Sequence, residues 1–198
     1  IAQAVRRNTI GDYAVTTLTF VLYAMPPFFL GIILIDVFAL RLNIFPPLVP
    51  SSITTTAAAV ADPRAFFLPI ITLTAVNIAT FSRYMRSSAL DNLAQDYIRL
   101  ARAKGLSQRA VLLRHLLRNA SLPMITLVGL SIPNLLAGNL LVEVLFNVQG
   151  LGLMFYNALE SGDYPVLLAY TILGGVLTVL GNLLADVAVT VADPRIRI

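Results

Sequence analysis

The chain has 198 residues, 58% of them hydrophobic and 12% charged, with a mean hydropathy of +0.82 and a net charge of +4. A soluble domain carries about 25% charged residues, so this composition excludes a water-soluble globule and implies an integral membrane protein. With no Cys and a single His, His115, the chain has no means to build disulfides, a thiolate metal site, a thiol nucleophile or a multi-His metal cluster.

The sequence opens IAQAVRRN rather than with Met and has no signal-peptide pattern, so a preceding segment is expected. Four uncharged, mainly apolar runs are long enough to cross a bilayer, which needs about 20 helical residues. With their extensions they predict spans at about 13–40, 65–84, 119–142 and 164–188. The first is roughly 28 residues, or about 42 Å of helix, and must tilt or kink at Pro26–Pro27. A fifth uncharged run, LNIFPPLVPSSITTTAAAVA at 42–61, holds three prolines and a Ser/Thr cluster and is expected to be an exposed loop. Four spans place Arg6, Arg7, the block from Arg83 to Arg118, Arg195 and Arg197 on one side, which is twelve of the fourteen bases. The positive-inside rule puts that side in the cytoplasm.

Between the second and third spans, 87–121, the pattern stays helical but loses its grease. Leu90, Leu93, Tyr97 and Leu100 recur at helical spacing, with Asp91, Asp96, Arg99, Arg102 and Lys104 filling much of the rest. Gly105 suits the left-handed residue just past a helix end, and Ser107 is a good N-cap for a second helix, QRAVLLRHLLRN. The segment predicts helix, tight turn, helix: a cytoplasmic hairpin. Anionic lipid can hold such bases at about 1 kcal/mol each, but a lipid-bound helix has no need of a break at Gly–Leu–Ser.

DYIRLARAKGLSQRAVLLRHLLRNASLP (96–123) resembles the cytoplasmic signature loop of the membrane (permease) subunits of binding-protein-dependent ABC importers, in the oligopeptide/dipeptide/nickel permease branch. The wider family's Glu-Ala-Ala positions, counted back from Gly105, fall on Arg99, Leu100 and Ala101. The branch's own form, ARAKGLS after Asp-Tyr, fits Asp96, Tyr97 and Ala101 through Ser107. The resemblance extends to 12–46, to EVLFNVQGLG at 143–152 with Val148–Gln149 in place of Trp-Pro, to DYPV at 163–166 and to ADPRIR at 192–197. It implies an all-α polytopic helix bundle, the type I ABC importer transmembrane domain, with two further helices before Ile1. It also implies a coupling helix seated in a groove of a cytoplasmic ATPase. Asp96, Tyr97, Arg99, Ala101, Arg102, Lys104, Gly105, Leu106 and Ser107 would form that contact, with Tyr97, Ala101 and Leu106 as apolar anchors.

The implied partners are a second homologous permease subunit, two ATPase subunits carrying ATP and Mg, a solute-binding protein outside the cytoplasm, and membrane lipid. The implied location is a prokaryotic cytoplasmic (inner) membrane. No cofactor, metal or nucleic acid is expected on this chain. It has no phosphate loop of the form G-x-x-x-x-G-K-[ST], no H-E-x-x-H and no G-x-S-x-G, so no enzymatic activity of its own is expected. Asn77, Thr80, Ser131, Asn134 and Asn139 are the polar candidates for lining a pathway, against helix–helix hydrogen bonding as their ordinary use. The alternative reading is a secondary transporter or channel subunit whose basic loop only anchors to lipid. The uncharged span cores count against ion-coupled carriage.

Overall fold

The computed structural model describes residues 8–53 and 55–192, with backbone alone for 56, 132–137 and 192. Every regular element among them is helical. Helix α1 (Ile10–Ala24) starts where Thr9 Oγ1 accepts the Asp12 amide at 3.2 Å. It ends before Met25–Pro26, and α2 (Pro27–Leu34) begins with Pro at its first position. The run expected at 13–40 is therefore two helices. A proline removes an amide donor and drives the residue before it out of the helical region, so adjacent prolines end the helix rather than merely bending it. From α2 the chain continues into a wide π-helical stretch, Ile35–Arg41, which closes with Leu42 N–H on Val37 O.

Short α3 (Thr56–Ala61) is capped by Thr55, whose side chain accepts the Ala58 amide. Helix α4 (Pro63–Leu93) is 31 residues long with Pro69 inside it, about 46 Å. It runs well beyond the expected 65–84 span and supplies the stem of the hairpin. Then come α5 (Asp96–Ala103) and a continuous helix, α6, built from Gln108–Ala110, the π-helical Val111–Leu116 and Leu117–Ala120. Helix α7 (Leu122–Ala137) has 16 residues and stops before Gly138, short of the expected 119–142. Helices α8 (Leu140–Phe146) and α9 (Leu151–Ser161) are bent by 86° at their junction. The last helix, α10 (Tyr164–Ala192), covers the expected 164–188 and a little more. By length and composition α4 and α10 can each cross a membrane, and α1 with α2 and its extension, and α8 with α9, can do so if each bent pair is one span. The outward face of α10 is apolar: Leu168, Ile172, Val179 and Leu183 are all exposed, which suits lipid rather than water.

The chain forms two compact units. The first, 1–21 with 78–131 and 181–198, holds the hairpin and is built on Ala89, Ile98, Ala101, Val111, Leu116 and Ala120. Three alanines in this small core let α4, α5 and α6 approach closely. The second unit, 22–77 with 132–180, is built on Ala39, Leu68, Val142 and Phe146. Its loop from 42 to 53 is not simply exposed: Val49 is buried, its N–H donates to Phe146 O at 2.8 Å, and its carbonyl accepts Asn147 Nδ2 at 2.8 Å. Phe45 stacks on Phe67 with ring centroids 4.2 Å apart.

Candidate functional site: the basic hairpin

The hairpin begins as α4 ends at Leu93. Asn92 Nδ2 donates to Ser88 O, and Tyr97 Oη donates to Asn92 Oδ1 at 2.6 Å, fixing the first turn of α5 against the stem. On α5, Ile98 and Ala101 point into the core, while Asp96, Arg99, Leu100, Arg102 and Lys104 face outward. The helix is amphipathic, but its buried face is Ile98 and Ala101, whereas Leu100, expected in the apolar stripe with Leu90, Leu93 and Tyr97, faces outward. The Arg99–Asp96 pair is long, 3.5 Å, and exposed on both sides, so it contributes little to stability.

The turn has a defined form. Gly105 sits at φ +77. Its N–H donates to Arg102 O at 2.9 Å, and the Leu106 N–H reaches Ala101 O at 3.4 Å. These are the two bonds of a Schellman motif, which satisfies the last carbonyls of α5. Ser107 then caps α6, its Oγ accepting the Ala110 amide at 3.4 Å. Leu100 and Leu106 are 56% and 41% exposed. Arg102, Lys104, Arg109, Arg114 and Arg118 are exposed too. The hairpin thus presents two apolar side chains within a cationic surface. Tyr97 is half-buried and Ala101 buried, so of the three anchors expected from sequence only Leu106 is outward-facing, and Leu100 is outward-facing as well.

Three charged residues for which no partner was expected are also built in. Asp12, on the first turn of α1, is buried, and Arg86 on α4 grips it with both arms: Nε to Oδ1 at 3.2 Å and Nη2 to Oδ2 at 2.9 Å. Asn8 N–H and Thr16 Oγ1 complete the carboxylate's shell. In the second unit Glu143 Oε1 accepts the Asn139 amide at 3.1 Å and Oε2 the Leu153 amide at 3.0 Å, so one carboxylate ties the starts of α8 and α9. Gly152 allows this closure, since a Cβ there would lie 2.7 Å from Leu140 Cα.

The polar candidates for a pathway are mostly engaged with their own helices. Asn77 Nδ2 donates to Leu73 O and Ser131 Oγ to Leu127 O. Asn139 is the N-cap of α8, accepting the Val142 amide. Thr80 is half-buried on α4, and the Asn134 side chain lies outside the described residues, as do Arg6, Arg7, Arg195 and Arg197. No group of three or more His, Cys, Asp or Glu that could hold a metal occurs among the described residues.

All of residues 1–198 match the family described as "Binding-protein-dependent transport system inner membrane component". An oligopeptide transport system permease protein of Bacillus subtilis (strain 168) is 42% identical over 94% of this chain and 59% of its own length. A putative peptide permease protein of Brucella ovis is 39% identical over the whole chain and 62% of its own length. A dipeptide transport system permease protein of B. subtilis is 35% identical over the whole chain and 61% of its own length. The chain therefore spans about six tenths of the length of these curated relatives. With a match along its entire length and an all-helical, apolar architecture, the chain belongs to the inner-membrane components of binding-protein-dependent transport systems, multi-pass permease subunits of ABC importers with the type I transmembrane fold.

Proposed function

We propose that this chain is part of a permease subunit that forms the transmembrane pathway of an ATP-driven importer for peptides or a related small solute. It couples that pathway to a cytoplasmic ATPase through residues 96–107. The observation that carries the reading is the hairpin: a Schellman turn at Gly105 that presents Leu100 and Leu106 among Arg99, Arg102 and Lys104. A protein groove is recognised by a compact apolar anchor with charges that set register. The printed names of the relatives, oligopeptide and dipeptide permeases, support the solute class. In this reading a second, homologous permease subunit completes the pathway, two ATPase subunits hold ATP and Mg and do the hydrolysis, and a binding protein delivers the solute from outside. The basic hairpin and the C-terminus face the cytoplasm.

The test is a crosslink. Ala103 is exposed on α5 and the chain has no Cys. A single Cys at Ala103 in the full-length permease, expressed with its ATPase subunits, should form a disulfide with a Cys in the ATPase groove, in a yield that changes with ATP. Absence of the crosslink, with position 103 shielded by lipid, would make the hairpin a lipid anchor and defeat the reading.

A further inference from the structure

We propose that the Asp12–Arg86 pair is a latch that makes α1 move with the hairpin. The inference rests on the coupling role proposed above and adds the link that carries the hairpin's displacement into the first helix.

The stem of the hairpin is the end of α4. Its Met85, Ala89, Leu90 and Leu93 pack into the hairpin core, and Ser88 Oγ donates to Ala120 O at 3.0 Å, pinning the stem to the end of α6. Arg86 lies on the same face of α4 as Ala89, Leu90 and Leu93, three, four and seven residues before them, and reaches from it to Asp12 on α1. The stem is thus held both by the hairpin core and, through Arg86, by Asp12.

The attachment of α1 is unusual in kind. Its only buried residues are Asp12 and Thr19, while Ile10, Tyr13, Val15, Leu18, Phe20 and Val21 are all exposed. No α1 residue belongs to the hairpin core. Thr19 Oγ1 is spent on its own helix, donating to Val15 O and Thr16 O. Two charged contacts tie α1 to the stem: the two-armed Arg86 contact with Asp12, and Arg83 lying 4.8 Å over the Phe20 ring. The first is the stronger, because a guanidinium fork on a carboxylate fixes direction as well as distance. The Asp12 side chain is 2% exposed and that of Arg86 29%, so water competes weakly for the pair. A greasy contact would let α1 slide over the stem. A bidentate pair with its remaining lone pairs held by Asn8 and Thr16 does not.

The experiment uses the full-length permease assembled with its ATPase subunits and binding protein in lipid vesicles, scoring solute delivered per ATP hydrolysed. Asp12→Asn and Arg86→Gln should each lower that ratio by about tenfold, within the range that links along a coupling path carry. Assembly and ATPase rate should stay at parent level, since the hairpin core contains neither residue. The double variant should lose no more than either single one, because both remove the same contact. A ratio unchanged in the single variants, or additive losses in the double, overturns the latch. If the neutral variants fail to assemble, Arg86→Lys decides: it keeps the cation and loses the fork, so it should assemble and still couple poorly, and full coupling by it overturns the proposal. Leu106→Glu run in parallel separates the two readings. If it leaves the ratio at parent level, the coupling role of the hairpin fails. If it uncouples and the Asp12 and Arg86 variants do not, only the latch fails.

Discussion

Replacing Gly105 tests the turn with little steric confusion. Its φ of +77 lies in the left-handed region, and a Cβ built there meets nothing within 4 Å. The cost of a side chain is therefore backbone strain alone, about 1–2 kcal/mol for a residue with a Cβ, with β-branched Val at the upper end. Asn, which tolerates this region, costs less. A loss of 1–2 kcal/mol raises the opened population of the turn by about 5–30-fold. The amides of Gly105 and Leu106 report it directly, because they donate to Arg102 O and Ala101 O. Hydrogen exchange at these two amides should accelerate by about that factor in Gly105→Val and change little in Gly105→Asn. In the assembled transporter the Val variant should insert normally, hydrolyse ATP and deliver less solute per ATP, while the Asn variant stays near parent level. Full coupling by Gly105→Val, or equal damage by Asn and Val, would refute the account of the turn.

Ala101→Leu should overpack the hairpin core, in which Ala101 is 4% exposed, at a cost of about 1–3 kcal/mol. Faster exchange at the buried Ile98 and Leu116 amides would register it, and unchanged exchange would show that the core has room. Glu143→Gln leaves one carbonyl oxygen where two carboxylate oxygens now serve the Asn139 and Leu153 amides. One of those bonds should be lost, at about 1.5–3 kcal/mol for a bond to a charged group, and exchange at one of the two amides should rise while the hairpin is unaffected. Gly129→Leu should wedge α7 from α10, because even a Cβ at Gly129 collides with Ala185. Reduced recovery of folded protein from membranes is the expected outcome, and full recovery would show that the two helices separate freely.

The sequence was most legible where the chemistry is local. Gly105 and Ser107 announced a helix end and a helix start within three residues, and the backbone there follows their preferences. Of the stripe Leu90, Leu93, Tyr97 and Leu100, the first three pack against the hairpin core and Leu100 is exposed, because the helix breaks between Leu93 and Asp96 and periodicity does not say what covers a face. Tyr97 and Ala101 were expected as anchors for another protein; here Ala101 lies in the hairpin core and Tyr97 packs against it. Breaks were harder. Pro26–Pro27 was visible, yet the need for a span-length helix argued for continuity, and the missing amides won. The end of α7 at Gly138 and the use of Asn139 as a cap were hidden in a run of uncharged residues. Least legible were the contacts that folding alone creates. Asp12 and Arg86 are 74 residues apart, and Glu143 reaches Leu153 across a sharp bend. Neither carries a local signal beyond being a charge near the end of an apolar run.

The π-helical stretch Val111–Leu116 bears on the lengths this hairpin can take. A π turn spans one residue more than an α turn, so α6 carries a surplus residue between two fixed points: Ser107, which caps its start, and Ala120, whose carbonyl holds Ser88. Deleting one residue inside 111–116 would leave an ordinary α-helix running between the same two points. Adding one would find no such refuge and would displace either the cap or the pin. The hairpin is thus built with slack in one direction, and single-residue losses within this stretch are the length changes it absorbs.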